Sequence, residues 1–338
     1  MKQAQFYKKL ESDRVHCQLC PHECTISKGN TGLCGVRTNR DGILYAMTYG
    51  RVVSSAIDPI EKKPLNHFYP GSSTLSLGSV GCNLRCIHCQ NWQISHPEIS
   101  GMKDRLDFIS PADAVLKAQE NNCRAIVWTY NEPSIWIEYV LDCAKLARAA
   151  GLKTVLVTAG VINSAPLKAL LKWTDAYRLD IKGFSEDFYQ RLTGSRFLKQ
   201  ILVNARTAYD SGAHIEIVTN VIPNWNDSDE QLRGLARWIV ENLSCDVPWH
   251  VTRYYPYYQM TEPSTPIETL DRARMIGIEE GLKYVYVGNV PGHPAEKTVC
   301  VDCGEVLIDR SGYKVSVNNT VRGSCKFCRA RIGHYQGD

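Results

Sequence analysis

Residues 74–89 read TLSLGSVGCNLRCIHC and are the most informative part of the sequence. It begins with a strand candidate, and the loop that follows carries the central cysteines, Cys82, Cys86 and Cys89, in the spacing C-x3-C-x2-C. Three thiolates satisfy three irons of a [4Fe–4S] cube and leave the fourth iron open to a small molecule. Structural zinc takes four protein ligands, so zinc would need His88 as the fourth. The spacing therefore favours an iron–sulfur cluster over zinc.

Short apolar strand candidates alternate with helical patterns through the centre of the chain. Six or seven such units indicate an α/β fold, a complete or partial (βα) TIM-like barrel, with an open doubly wound sheet as the competing arrangement. The predicted strands are Thr74–Gly78, Ala125–Tyr130, Thr154–Thr158, Tyr177–Ile181, His214–Ile222, Trp249–Tyr255 and Tyr284–Val287. The predicted helices are Pro111–Asn122, Ile135–Ala150, Ala165–Trp173, Leu198–Ser211, Asp229–Leu243 and Ile267–Gly281.

Polar residues recur where these predicted strands end. In a barrel of parallel strands all the C-terminal ends reach one rim, where barrel enzymes place their chemistry. The alternative is that polar residues merely populate loops, as some of them do. The charged pair of Asp180 and Lys182 at one strand end favours the first explanation. The polar residues expected at the rim are Asn131, Glu132, Thr158, Asp180, Lys182 and Asn220.

The composition is that of an ordinary globular protein. A net charge of +4, from 39 basic and 35 acidic residues, is too small to indicate nucleic acid or an acidic membrane as a partner. The N-terminal residues 1–14 are polar and helix-like, without the apolar segment of a secretion signal. No stretch approaches the roughly 18 consecutive apolar residues of a membrane span. We therefore expect a cytoplasmic protein.

Fourteen cysteines are the exception, and eleven of them fall into three compact groups. Without a secretion signal, and with two-residue gaps between neighbouring cysteines, three metal centres explain the groups better than disulfides. Cys123, Cys143 and Cys245 stand alone in the sequence. For these three we expect buried structural thiols.

The C-terminal cysteines form two C-x2-C pairs separated by 21 residues. This is a zinc-ribbon pattern, because four thiolates complete the tetrahedral shell of zinc. Rubredoxin-like iron accepts the same ligands and is the alternative. A metal here would fold a tail that has little apolar material of its own. The set consists of Cys300, Cys303, Cys325 and Cys328.

The N-terminal cysteines have a looser spacing, C-x2-C-x3-C-x9-C. This does not match the two-cluster ferredoxin pattern. Zinc and an auxiliary iron–sulfur cluster are both candidates, and the frequency of structural zinc among isolated sets of four cysteines favours zinc. His16 and His22 are substitute ligands. The set consists of Cys17, Cys20, Cys24 and Cys34.

Three parts of the chain therefore differ in character. Residues 1–73 are a cysteine-rich N-terminal extension, residues 74–295 carry the barrel, and residues 296–338 are a zinc-ribbon-like tail. No internal repeat of solenoid period and no low-complexity segment interrupts them.

The loop of the central cysteines resembles the cluster-binding loop of the radical S-adenosylmethionine superfamily, with an aromatic-type residue, His88, before the last cysteine. This resemblance implies that the amino and carboxylate groups of S-adenosylmethionine chelate the open iron. It also implies that an electron from the cluster cleaves the sulfonium, giving methionine and a 5′-deoxyadenosyl radical. That radical abstracts hydrogen from a substrate.

Further motifs resemble those of pyruvate formate-lyase-activating enzymes. Residues 129–133, TYNEP, are similar to the motif that hydrogen-bonds the cofactor's amino group, which implies that role for Glu132. Residues 179–182, LDIK, are similar to the D-x-K motif that grips the methionine portion. Residues 221–225, VIPNW, are similar to the V-I-P-G-W element, with Asn224 where glycine is usual.

These roles suit the chemistry, since a carboxylate pairs with an ammonium and a lysine with a carboxylate. For Glu132 the alternative is an exposed acid at a helix N-terminus. Activating enzymes usually place a histidine after a proline on a late strand to contact the adenosine, whereas residues 255–258 here read YPYY, which leaves His250 as the candidate. The implied cofactor-binding residues are His88, Asn131, Glu132, Thr158, Asp180, Lys182, Asn220 and His250.

Over its whole length the chain resembles the radical enzyme of the AmmeMemoRadiSam group, through runs that include residues 17–22, 32–37, 58–64, 81–92 and 289–293. This resemblance implies a pathway shared with a Memo-like protein and an AMMECR-like protein. The likeness to activating enzymes implies an electron donor of the flavodoxin or ferredoxin type.

Two other interpretations compete with a radical enzyme acting on a protein, peptide or small molecule. A non-catalytic iron–sulfur electron-transfer scaffold would not need side chains that grip a cofactor, such as Glu132, Asp180 and Lys182. A nucleic-acid-modifying radical enzyme would interleave basic and aromatic residues more densely than this tail does. The substrate itself is not identified by the sequence, because one scaffold hosts many reactions.

Overall fold

The computed structural model describes residues 1–96 and 106–337. Eight short strands lie in its N-terminal part: β1 (Lys2–Gln3), β2 (Tyr7–Lys9), β3 (Val15–Cys17), β4 (Thr25–Ile26), β5 (Arg37–Arg40), β6 (Ile43–Ala46), β7 (Arg51–Val52) and β8 (Ser54–Pro59). The prediction of a helix-like N-terminus is wrong, because β1 pairs with β6 and β2 pairs with β3. Pairing with more distant strands overrides the local helical pattern.

Seven parallel strands form the centre of the protein. The strands that follow β8 are β9 (Ser73–Gly78), β10 (Asp107–Phe108), β11 (Ala125–Trp128), β12 (Lys153–Thr158), β13 (Ala176–Asp180), β14 (His214–Val221), β15 (Trp249–Arg253) and β16 (Val285–Gly288). β9 and β11 to β16 lie side by side in chain order, β8 joins β9 as an antiparallel edge, and β10 pairs with β7 instead.

This strand order identifies the sheet as a partial barrel. A doubly wound sheet reverses its strand order at a switch point, and this sheet does not, so the competing arrangement is wrong. Within the described residues, the edge strands β8 and β16 do not pair with each other, so the barrel is not closed by hydrogen bonds.

The helices connect the parallel strands. They are α1 (Trp92–Ser95), α2 (Pro111–Glu120), α3 (Ile137–Ala149), α4 (Ser164–Leu171), α5 (Glu186–Phe188), α6 (Leu198–Asp210), α7 (Asp229–Asn242) and α8 (Ile267–Glu279). The predicted helix Ile135–Ala150 is divided, because Pro133–Trp136 is a 3₁₀ turn that precedes α3. No helix in the described part of the chain is long and apolar enough to cross a membrane.

The strands bury residues on both faces, because successive side chains of a strand point in opposite directions. Ile126 of β11 belongs to the large core that the sheet shares with the helices. Its neighbour Val127 belongs to a second, smaller core on the inner face of the barrel. The segment between β8 and β9 fills this inner core with Ile60, Leu65 and Phe68.

The tail packs against the last barrel strand. It contains β17 (Thr298–Val299), β18 (Val306–Ser311), β19 (Lys314–Asn318), β20 (Thr320–Val321) and β21 (Ser324–Cys325). Leu307 and Ile308 of the tail share a core with Tyr286 of β16. Arg310 reaches farther and donates to the Asn66 carbonyl at 2.6 Å. The tail is therefore attached to both the barrel and the segment that fills it.

Leu65→Ala should lower the free energy of unfolding by about 2–5 kcal/mol, because it leaves a cavity in the inner core. Leu65 has 0% exposed surface, whereas Leu116 on α2 is 55% exposed. Leu116→Ala is therefore the matched control and should change the free energy by less than about 0.5 kcal/mol. Urea denaturation measures both variants. Equal losses would contradict the placement of Leu65 inside the barrel.

Candidate active site

The loop between β9 and α1 is held first by Asn131, which follows β11. Its side-chain oxygen accepts a hydrogen bond from the Ser79 N–H at 3.2 Å, and its side-chain nitrogen donates to the Gly81 carbonyl at 2.9 Å. Gly81 has a φ of +87°, and a Cβ there would lie 2.5 Å from Val36 Cγ1 and 2.6 Å from the Cys34 carbonyl oxygen. The loop needs glycine at this position for its left-handed backbone and for its close contact with the N-terminal extension.

A second attachment holds the middle of the same loop. The N–H groups of Arg85 and Ile87 donate to the carbonyls of Thr193 and Leu192, each at 2.9 Å. Both carbonyls belong to the π-helical turn Tyr189–Thr193, which follows α5. The loop is thus tied to the chain after β11 and to the chain after β13, and its position depends on both.

The central cysteines line a cavity of about 630 Å³ at the C-terminal rim of the parallel strands. The side chains predicted to bind the cofactor line the same cavity: His88, Asn131, Glu132, Thr158, Asp180, Lys182, Asn220 and His250. The structure therefore brings the predicted cluster ligands and the predicted cofactor-binding residues together. The role of each side chain stays a prediction.

The donor set at this rim fits an iron–sulfur cluster better than one metal ion. Thiolates bound to one zinc at about 2.3 Å lie about 3.8 Å apart. In the part of the chain that the structure describes, the three central sulfurs do not all lie within 4.8 Å of one another. Thiolates that bind separate irons of a cube stand farther apart than thiolates that share one ion. A [4Fe–4S] cluster is therefore compatible with the arrangement.

His88 is buried beside these cysteines and is neutral. Its Nδ1 atom has no hydrogen-bond partner among the described residues. Burial, together with the nearby charge of Lys182, lowers the pKa of His88 to about 3. A neutral ring with a free nitrogen is a polar contact available to a bound group in the cavity.

Glu132 is a buried acceptor of three hydrogen bonds. It accepts from Thr158 Oγ1 at 2.7 Å, from the Ala159 N–H at 2.9 Å and from the Ser134 N–H at 3.0 Å. Glu132 caps the turn Pro133–Trp136, as expected for an acid at a helix N-terminus. It is only 2% exposed, however, whereas that interpretation expected an exposed side chain. Burial raises the pKa of Glu132, although the hydrogen bonds oppose that shift. A carboxylate has about four acceptor positions, so one remains for a donor in the cavity.

Asp180 lies between two cations at the end of β13. Arg178 donates to one of its carboxylate oxygens, and Lys182 Nζ lies 3.4 Å from the other. Burial disfavours the charge on Asp180, but the two cations outweigh it and hold its pKa below the usual range. Burial likewise opposes the charge on Lys182, but Asp180 and Cys86 hold the pKa of Lys182 above its usual range. Both side chains are therefore charged at neutral pH.

His250 reaches the cavity from the inner face of the barrel. Its Nε2 atom lies 2.6 Å from Glu216 Oε2, and its ring stacks on Tyr286 with a centroid separation of 5.1 Å. One ring nitrogen is thus engaged by the barrel interior. The contact of His250 with adenosine stays a prediction.

Sequence reasoning missed several charged residues of this cavity. Arg178 could have been found, because it lies two residues before Asp180 and therefore on the same face of the strand. Lys63 lines the cavity from the segment that fills the barrel, with its Nζ atom 2.9 Å from Asp58. Arg310 lines it from the tail, and no local pattern in the sequence indicates that a tail residue reaches this far.

The C-terminal cysteines converge as the ligands of one metal ion do. All four sulfurs lie within 4.8 Å of one another. The Cys300 and Cys328 sulfurs are 3.6 Å apart, and those of Cys303 and Cys325 are 3.8 Å apart. These separations match about 3.8 Å for thiolates around a tetrahedral zinc ion. The tail therefore has the shape expected of a zinc ribbon.

The N-terminal cysteines surround a separate small pocket. All four of them line it, together with His22, whose Nε2 atom lies 2.7 Å from the Asn83 carbonyl oxygen. His16 is not among the lining residues, and its Nε2 atom lies 3.9 Å from Glu23. Of the two histidines proposed as substitute ligands, the structure thus brings only His22 to the pocket.

A partial barrel of parallel strands, with three cysteines and a polar cavity at its rim, suits an enzyme that binds a metal cluster and a small cofactor. The comparisons agree with this class. The Radical SAM superfamily model matches residues 77–236. An uncharacterised protein of Methanocaldococcus jannaschii is 42% identical over 337 residues, covering 98% of this chain and 99% of that protein.

The activating enzymes are more distant relatives, and a solved structure has a similar fold. The pyruvate formate-lyase-activating enzyme of Clostridium pasteurianum is 26% identical over 223 residues, covering 60% of this chain and 87% of that enzyme. The solved radical SAM methyltransferase from Sphaerobacter thermophilus has a similar fold, with a TM-score of 0.50, 17% identity and 71% of each chain covered. The chain belongs to the radical SAM superfamily, is homologous to the activating enzymes, and is a radical SAM enzyme.

Gly81→Ala should reduce the amount of iron that the purified protein retains. The left-handed backbone costs about 1–2 kcal/mol for any residue with a Cβ. The contacts at 2.5 and 2.6 Å would in addition displace the loop. Gly151→Ala is the matched control, because Gly151 has a φ of +75° but no atom within 4 Å of its added Cβ. Iron analysis and denaturation compare the two, and equal iron content would contradict the proposed tight fit at Gly81.

Proposed function

We propose that this radical SAM enzyme holds a [4Fe–4S] cluster at the central cysteines and cleaves S-adenosylmethionine reductively. When bound, the cluster supplies the electron that converts the cofactor to methionine and a 5′-deoxyadenosyl radical, which abstracts hydrogen from a substrate. The observation that carries the proposal is that the central cysteines line one cavity with Glu132, Asp180 and Lys182.

The charged side chains bind different groups of the cofactor. Lys182 is a cation that can pair with the carboxylate of S-adenosylmethionine, and Asp180, 3.4 Å away, keeps it charged and oriented. Glu132 offers its remaining acceptor position to the cofactor's ammonium. Because Glu132 is itself fixed by three donors, it is ordered before the cofactor arrives.

The mouth of the cavity favours a peptide or protein substrate over a small molecule. Tyr255 and Tyr257 line the cavity and are 37% and 42% exposed. Tyr258, 41% exposed, stacks on Trp92 with a centroid separation of 5.1 Å. Exposed aromatic rings of this kind are typical of surfaces that bind other chains. A glycine of a partner protein is one such target.

We further propose membership of the AmmeMemoRadiSam group, on the sequence runs that resemble it. A Memo-like protein and an AMMECR-like protein would then act in the same pathway, and a flavodoxin or ferredoxin would supply the electron. A cytoplasmic location suits the cysteine sets, because thiols stay reduced there and can bind metal. The moderate net charge of +4 gives no support to a nucleic-acid substrate.

The test is anaerobic reconstitution with iron and sulfide, reduction with dithionite, and measurement of 5′-deoxyadenosine after addition of S-adenosylmethionine. The chain should produce it, and Cys82→Ala, Cys86→Ala and Cys89→Ala should each abolish it, because each removes one ligand of the cluster. Cys245→Ser is the control and should retain the activity, since Cys245 belongs to none of the cysteine sets. Production by a chain that lacks all three central cysteines would overturn the proposal.

The C-terminal cysteines should hold about one zinc per chain, which stabilises the tail without taking part in the chemistry. Cys325→Ser should release that zinc and lower the melting temperature, because tail and barrel share a core. The visible absorption of the reconstituted iron–sulfur cluster should persist. Loss of that absorption from a variant that stays folded, or retention of its zinc, would contradict this assignment.

A further inference from the structure

The N-terminal pocket is built differently from the zinc-ribbon site, although both have four cysteines. Cys17, Cys20 and Cys34 are each less than 10% exposed, and Cys24 is half-buried. All four line the same pocket. Yet within residues 1–96 and 106–337, no three of these four sulfurs lie within 4.8 Å of one another.

That separation argues against a single metal ion. Four thiolates around one zinc lie about 3.8 Å apart, and the C-terminal cysteines of this same chain reproduce that geometry. Among the described residues, neither the N-terminal sulfurs nor the central sulfurs meet the 4.8 Å limit that the C-terminal sulfurs meet. Four cysteines at four corners suit a cube that binds one thiolate per iron.

The surroundings of the pocket also suit a negatively charged cluster. Arg37 lines the pocket, is only 1% exposed, and pairs with Glu138 at 3.0 Å. Its Nε atom is buried without a hydrogen-bond partner among the described residues. Because Glu138 already balances the charge of this guanidinium, what Arg37 adds beside the four thiolates is an N–H donor for a cluster or thiolate sulfur.

The pocket adjoins the loop of the central cysteines. His22, two residues after Cys20, makes its 2.7 Å contact with the carbonyl of Asn83, which directly follows Cys82. The Cys34 carbonyl oxygen lies against Gly81. A short path of covalent bonds and one hydrogen bond therefore joins the two cysteine sets.

Part of the pocket reaches the surface of the protein. Leu33, one of the residues that line it, is 44% exposed. Glu23, which lines it too, is also exposed. A redox protein that docks here would lie next to the N-terminal cysteines.

We propose that Cys17, Cys20, Cys24 and Cys34 bind a second [4Fe–4S] cluster, which passes electrons to the cluster at the central cysteines. One electron enters from a reduced flavodoxin or ferredoxin, which is oxidised by one electron, and leaves to the central cluster, which is reduced by one. No bond is made or broken and no proton moves in this step. The metal assignment stands independently, whereas the relay rests on the proposed function.

Metal analysis of a chain that carries Cys82→Ala, Cys86→Ala and Cys89→Ala tests the assignment. After anaerobic reconstitution this variant should hold about four irons and four sulfides, all at the N-terminal site, and about one zinc. The unaltered chain should hold about eight irons and one zinc. About four irons and two zincs in the unaltered chain, or no iron in the variant, would overturn the second cluster.

Cys17→Ser with Cys34→Ser is the complementary variant, and Cys245→Ser is its control. The double variant should lose about half of the iron, whereas the control should lose none. If the double variant does not fold, the iron and zinc of the unaltered chain decide the question. A folded double variant that keeps all its iron would overturn the assignment.

The proposed electron transfer between the two clusters is tested with Cys24→Ser, which replaces the half-buried cysteine of the N-terminal set. Production of 5′-deoxyadenosine is measured with reduced flavodoxin and with dithionite, a small reductant that does not depend on docking. The ratio of the flavodoxin rate to the dithionite rate should fall relative to that of the unaltered chain. An unchanged ratio in a variant that has lost the second cluster would overturn the relay. Absence of 5′-deoxyadenosine from the unaltered chain with either reductant would instead count against the proposed function.

Discussion

The position of one loop, between β9 and α1, controls the active site, and contacts outside the loop set that position. Asn131 bonds the loop backbone on both sides of Val80, through Ser79 N–H and the Gly81 carbonyl. Gly81 in turn lies against Cys34 of the N-terminal extension, where no side chain larger than hydrogen fits. This part of the extension therefore supports the loop from outside the cavity. A metal that orders the extension would also order the loop that is proposed to bind the cluster.

A buried carboxylate inside the barrel, that of Glu216, also holds residues of this rim in place. Glu216 accepts from the N–H groups of Asn66 and His67, at 3.0 and 2.8 Å, and lies 2.9 and 2.6 Å from ring nitrogens of His214 and His250. Burial would raise its pKa, but the histidine contacts hold it well below the usual range. An ionised group without such partners would be strongly destabilising. Glu216 thus fixes the segment that fills the barrel and orients His250 at the cavity.

The parallel strands could be predicted because each is a short apolar run that ends at polar residues. The predicted strand His214–Ile222 is observed as His214–Val221, and Asp180 and Lys182 lie at the rim as their positions after a strand indicate. Contacts between distant segments leave no such pattern. β1 is only two residues long and exists because Lys2 pairs with Ala46. Arg310 reaches the cavity only because the tail docks on the barrel.

The three cysteine sets show the same limit for metal sites. Each contains at least one C-x2-C pair, so the spacing predicts that metal binds but not how many metal atoms do. The number depends on how far apart the backbone places the sulfurs, and that distance is fixed by the surrounding fold. The tail brings its sulfurs to 3.6 and 3.8 Å, which are the separations of thiolates that share one ion. The N-terminal set lies beside the central loop, and among the described residues its sulfurs do not all come within 4.8 Å of one another as the tail's sulfurs do.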